Sequence, residues 1–174
     1  EIVLALDDKG DVNGNGKVDY VMIIGDPENP DAQYRTEFSI KALTDAGVEV
    51  KKLVDNVGNW DQTKGQEIAA AALAQFGDEV EVIFCNNDGM ALGAAAAIEA
   101  AGRVVGQDIY LLGVDALDEC QEMVKAGTMT GTVLNDHIGQ SHAAVDAAVA
   151  ALNGEALQNY YWVDYVKVDA AYFG

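Results

Sequence analysis

Short continuous apolar runs alternate along the chain with longer segments whose apolar positions recur at helical spacing. Residues 19–25 (DYVMIIG), 48–54, 81–85, 108–114 and 131–134 are rich in Val, Ile and Leu and are bounded by Gly, Asn or Asp. They read as buried strands of a parallel sheet. Between them, 31–46 carries Tyr34, Phe38, Ile40, Leu43 and Ala46 at helical spacing and stops at Gly47. Further helices are predicted over 66–76, 90–101, 117–125 and 143–152, the last stopped by Asn153-Gly154. Residues 56–61 form a turn, 160–168 alternate in strand fashion, and 1–6 are too short to assign. Strands alternating with helices over short connections define an α/β domain around a parallel sheet. No internal repeat or low-complexity linker interrupts it.

The totals narrow the class. At 174 residues, 50% hydrophobic and with two prolines, the chain can bury a substantial core as one folded domain. Its net charge of -19, from 29 acids against 10 bases, opposes binding to nucleic acid or an anionic membrane. Two cysteines, Cys85 and Cys120, exclude a disulfide scaffold, and a reduced, inert state is expected. No apolar run approaches the roughly 18 residues that cross a bilayer, and no signal peptide is visible. The chain begins at Glu1 without methionine, as expected of a piece whose targeting segment has been removed.

Two chemical devices lie within 11–35. In the first, Asp11, Asn13, Asn15, Lys17 and Asp19 fall at alternate positions with Gly16 sixth. This matches the first nine positions of an EF-hand calcium loop, where the seventh residue supplies only its carbonyl, so Lys17 is acceptable there. The twelfth position is Met22, inside an apolar run, so the bidentate acid of that motif must come from elsewhere in the fold. The alternative is an Asx- and glycine-rich turn without metal. Mg²⁺ suits the pattern less well than Ca²⁺, because it keeps more of its waters.

The second device is Asn29-Pro30-Asp31-Ala32-Gln33-Tyr34-Arg35. Asn29 suits an N-cap and Pro30 the first helical position, so Asp31 and Arg35 share a helical face directly after a strand. The plainer alternative is an acid favoured by the helix dipole, paired with Arg35 at i,i+4.

Later turns deliver Trp60, Asn87, Asp115 and Asn135, each beyond the carboxyl end of a strand, the rim where open α/β sheets bind ligands. Caps and turns account for Asn87, Asp88, Asp115 and Asn135 singly. Together with Asp31, Arg35 and Trp60 they suit a polar, uncharged ligand with a flat apolar face, as a sugar has. No GxSxG, HExxH, CxxC or phosphate loop is present. His137 and His142, five apart, do not share a helical face as paired ligands would, and read as surface or interface residues.

Through DxNxNGKxD, DPENPDAQYR, NWD, EVIFCNND, LLGVDAL and GTVLND, the stretch from Asp11 to Asp169 resembles the C-terminal part of bacterial periplasmic D-galactose/D-glucose-binding proteins, the substrate-binding components of sugar ABC transporters and, in some bacteria, of chemotaxis. The resemblance implies a three-layer αβα lobe of the type I periplasmic-binding-protein fold. It implies a Ca²⁺ loop completed by Glu81, hydrogen bonds to sugar from Asp31, Arg35, Asn87, Asp115 and Asn135, and stacking by Trp60. Asn29 stands where the galactose-binding pattern has a histidine that contacts the sugar.

The family has two lobes, and nearly all of the N-terminal one is missing here. The implied division is a C-terminal lobe over 1–134, a segment over 135–162 that would cross to the missing lobe, and a return strand over 163–174. Residues 1–6 become the tail of the lobe's first helix. The helix over 137–152 is left with an apolar face, from Ala143, Val145, Ala148 and Leu152, open to self-association. The resemblance further implies a membrane permease as partner and a parent in the periplasm or outside the cell, free or as an anchored lipoprotein. Rival readings are a hydrolase using Asp31 and Asp115, the effector domain of a sugar-responsive repressor, and a calcium-dependent assembly module. No nucleophile is marked, no helix-turn-helix is present, and the acidity opposes DNA binding.

Overall fold

The computed structural model describes residues 1–174. A parallel sheet forms from β1 (Val18–Ile24), β2 (Val50–Val57), β3 (Val82–Cys85) and β4 (Tyr110–Leu112), in the order β2-β1-β3-β4. The connecting helices are α1 (Pro30–Asp45), α2 (Gln62–Phe76) and α3 (Asp88–Ala100). Beyond β4 lie α4 (Asp118–Ala126), β5 (Thr132–Leu134), α5 (His137–Leu152) and β6 (Val166–Val168).

Strand alternation divides the core into two faces. Val21, Ile23, Ile83, Cys85 and Leu111 pack against α2, α3 and α4 in the larger cluster, which also holds Leu73, Met90, Ile98 and Val124. Tyr20, Met22, Val82, Phe84, Tyr110 and Leu112 face the other way and meet Leu43 of α1 and the N-terminal Ile2 and Val3. This is a three-layer αβα arrangement. Between α2 and α3 the backbones touch: a Cβ on Gly93 would lie 2.0 Å from the Gln62 carbonyl oxygen, and one on Gly65 2.5 Å from that of Met90.

Three sequence-based boundaries change. Strand β5 joins the sheet loosely, through a parallel bridge from Leu112 to Gly131 and the bond from Asp115 N–H to Val133 O (2.8 Å), while pairing antiparallel with β6. The strand expected over 160–168 contracts to Val166–Val168, because Tyr160, Tyr161 and Trp162 have no neighbouring strand to bond and stand exposed. The N-terminal segment, unassigned from its pattern and implied by the resemblance to be the tail of a helix, is a single 3-10 turn, Val3–Ala5.

Helix α5 matches the limits implied by the resemblance and buries none of its residues. Val145 is 61% exposed and Leu152 88%; Ala148 is exposed and Ala143 half-buried. Both histidines lie on its surface. Cys85 and Cys120 are free and buried, and burial pushes both thiols up.

Candidate functional site

Of the residues expected at the rim, Asp115 and Trp60 come together around Arg35, and Asp31 lines a cavity with it. Asn29 caps α1, its side-chain oxygen accepting from Asp31 N–H at 2.8 Å, and Pro30 opens the helix. One turn later, Arg35 projects across the ends of the strands. Its Nη1 donates to Asn86 O (2.9 Å) and lies 3.6 Å from Asp115 Oδ1, while Nη2 donates to Tyr165 Oη (3.1 Å). The guanidinium sits 5.8 Å from the ring centroids of both Trp60 and Tyr165. Its Nε is buried without a partner, a donor left for something else to satisfy. The i,i+4 pair of Arg35 with Asp31 does not form; Asp31 is exposed at the edge.

The other members are held by their turns. Asn59 and Trp60 both take positive φ, 50° and 67°, which lays the indole over Gly25. Asn87 caps α3, accepting from Met90 N–H (3.0 Å), and its amide donates to Trp60 O (3.4 Å). Asn135 accepts from Gln140 Nε2 (2.6 Å). Burial raises the Asp115 carboxyl above its usual range; Arg35 pulls it down, and Asp88 and Asp31 push it up. The rim therefore offers carboxylate acceptors, guanidinium and amide donors and an aromatic face within one wall. A cavity of about 300 Å³ opens beside it, lined by Asp31, Tyr34, Arg35, Phe38, Val133 and Tyr165.

Three contributors were not legible in the sequence. Tyr165 lies 130 positions from Arg35 and stood only as one residue of an alternating run. Asn86 is fully buried, and its side chain accepts from Gly25 N–H (3.0 Å) and bonds to Thr36. The repeated Asn86-Asn87 pair does not reveal which residue faces inward. Asp88 is buried in place of merely capping a helix.

The 11–19 loop closes on itself through Asx-type bonds. Asp11 accepts from Asn15 and Gly16 N–H (both 2.9 Å), Asn13 from Asn15 N–H (3.0 Å) and Asn15 from Lys17 N–H (3.1 Å). Glu81 reaches in from the start of β3, its two oxygens accepting from Asn13 N–H (2.9 Å) and Asp19 N–H (2.8 Å). Met22 points into the core. No three His, Cys, Asp or Glu side chains cluster here as metal ligands do. Around the loop stand the carboxylates of Asp11, Asp19 and Glu81, the amide oxygens of Asn13 and Asn15, and the Lys17 carbonyl. Asp19 Oδ1 is buried with no hydrogen bond, facing Lys51 Nζ at 3.4 Å and Lys17 Nζ at 3.7 Å. Burial raises the Glu81 carboxyl, against the two N–H groups it accepts from.

A parallel αβα lobe with a polar and aromatic rim at its strand ends defines a ligand-binding domain of the doubly wound class. The chain belongs to the periplasmic binding protein domain family, whose sequence pattern matches residues 8–156. It is 35% identical over 169 residues to the D-galactose/methyl-galactoside binding periplasmic protein MglB of Haemophilus influenzae, covering 91% of this chain and 50% of that protein. A putative rhizopine-binding protein of Rhizobium meliloti is 31% identical over 92% of this chain and 51% of its own length. A solute-binding protein of Actinobacillus succinogenes solved with bound D-allose superposes with a TM-score of 0.82 at 25% identity, covering 90% of this chain and 54% of that one. The Caulobacter myo-inositol binding protein gives 0.81 at 26% identity, covering 91% and 54%. The chain spans about half the length of the curated relatives it matches.

Proposed function

We propose that this chain is one wall of an extracytoplasmic sugar receptor serving ABC transport, non-catalytic, with a structural calcium site. The observation that carries the reading is Arg35: its guanidinium is fixed by Asn86, Asp115 and Tyr165 beside the Trp60 indole, with Nε left unpartnered at the strand-end rim. A ring hydroxyl of a sugar satisfies such a donor, and the indole covers the sugar's C–H face. The relatives' names give galactose, allose and myo-inositol, all polyhydroxylated rings. Galactose or glucose is the ligand proposed here, with Asn29, Asp31, Arg35, Trp60, Asn87, Asp115 and Asn135 as its contacts. The side-chain oxygen of Asn29 accepts the helix-cap bond, and its amide N–H groups are left to donate to the ligand.

In the parent, hinge closure against a second lobe would exclude water from these bonds. A membrane permease is the proposed partner, in the periplasm or outside the cell, with chemotaxis as a second use. Residues 135–162 are proposed to cross toward the second lobe, which the unburied α5 supports. Alone, the lobe binds sugar weakly or not at all, since half the contacts are absent, and the face of α5 is the route by which it would self-associate.

For the cation, the fit rests on the buried, unbonded Asp19 Oδ1 and on Glu81 entering the loop from β3. Asp11, Asn13, Asn15, the Lys17 carbonyl, Asp19 and Glu81 offer an all-oxygen set suited to Ca²⁺, which would draw the Asp11, Asp19 and Glu81 carboxylates together, neutralise them and tie the loop to the sheet. Calorimetry with calcium, with EDTA, and with calcium plus galactose or glucose, alongside light scattering, tests both parts. A calcium-dependent rise in Tm with a small sugar effect is expected. No response to calcium returns 11–19 to a plain Asx turn, and micromolar sugar affinity for the monomer contradicts the single-wall reading.

A further inference from the structure

Asp115 and Ala116 take consecutive positive φ values, 122° and 55°, in the turn after β4. Neither is glycine, and such strain persists only where the surroundings over-determine it. What surrounds this turn is a buried pair that touches no ligand-facing space. Asp88 N–H donates to Val114 O (2.6 Å), and Asp88 Oδ2 accepts from Leu117 N–H (2.8 Å). The Thr132 hydroxyl donates to Asp88 Oδ1 (2.7 Å) and accepts from Ala116 N–H (3.3 Å). Residues on both sides of Asp115 are thereby pinned, and Asp88 and Thr132 are each 0% exposed.

We infer that Asp88 and Thr132 are positioning residues that hold the Asp115 turn in its left-handed form, aiming that carboxylate at Arg35 for a polyhydroxylated ligand. This rests on the sugar-binding reading. It adds two residues without ligand contact, from α3 and β5, that set the geometry of the wall. A helix-capping role alone would leave Thr132 and the Ala116 and Leu117 amides outside the account.

The test uses the whole chain with Thr132→Val, which keeps shape but removes the hydroxyl, and Thr132→Ser, which restores it. Backbone amide exchange and galactose titration are both followed by NMR. Losing one buried hydrogen bond should speed exchange at Ala116 and Leu117 and weaken galactose in Thr132→Val by roughly tenfold. Thr132→Ser should behave as the wild type in both respects. Unchanged exchange at these amides in Thr132→Val, a uniform acceleration across the whole chain, or failure of Thr132→Ser to restore them would overturn the inference. If the wild type shows no galactose response, as a single wall allows, amide exchange alone decides whether the clamp exists.

Discussion

Arg35 Nη1 lies 3.6 Å from Asp115 Oδ1, joining α1 to the turn after β4 across the carboxyl ends of the strands. The guanidinium side chain is only 11% exposed, so this pair is partly desolvated and each partner depends on the other. Arg35→Lys keeps the charge but cannot serve Asn86 O, Tyr165 Oη and Asp115 at once, because an ammonium lacks the planar fork. Galactose affinity in an NMR titration should fall about tenfold or more, with a loss of about 1–3 kcal/mol in denaturant unfolding.

Glu81→Gln should remove most of the calcium-dependent rise in Tm, since the metal stabilises only through its preference for the folded loop. The pH dependence of the EDTA-treated protein supplies the sign. Burial holds the folded Glu81 carboxyl above its unfolded value. Its contribution is therefore fully present below the unfolded value of about 4.3 and is lost as pH rises through the raised folded value. The difference in unfolding free energy between wild type and Glu81→Gln should shift in favour of the mutant as pH rises through that window. Calcium should reverse the trend, because protons compete with the metal.

Gly93→Ala should destabilise the lobe by about 1–3 kcal/mol in urea or guanidinium, because the added methyl meets backbone and not a movable side chain. Leaving m unchanged would mark this as a packing effect.

Val145→Ser and Leu152→Ser should leave Tm nearly unchanged, within about 0.5 kcal/mol, since α5 covers no core. Light scattering should show any self-association of the wild type weakened by the same changes.

The strand-end rim was legible because each contributor follows an apolar run directly: Asp31 and Arg35 after β1, Trp60 after β2, Asn87 after β3, Asp115 after β4 and Asn135 after β5. Period and punctuation reveal which end of a strand a residue occupies, and parallel order then gathers those ends on one edge. They do not reveal which long-range partner a side chain takes. Spacing offered Arg35 the nearby Asp31; the fold gives it Asp115, Asn86 and Tyr165. The pairing of Asp88 with Thr132 is equally silent, since 44 positions separate two residues of ordinary capping and strand type. The 160–168 run misled for a related reason: alternation describes a strand only when another strand lies beside it, and Tyr160 and Trp162 have none. Met22 at the twelfth position shows only that an EF-type loop would lack its own acid; the spacing does not name Glu81, which the resemblance implied and which accepts from the Asn13 and Asp19 N–H groups.

The central claim is that the wall around Arg35 recognises a sugar through the rim and nowhere else. Titrating the calcium-treated chain with galactose while recording backbone and side-chain NMR shifts tests it most directly. Shifts confined to Asn29, Asp31, Arg35, the Trp60 indole, Asn87, Asp115 and Asn135, saturating only in the millimolar range or above, are the predicted result. An unperturbed rim at saturating sugar, or shifts centred elsewhere on the lobe, would contradict it.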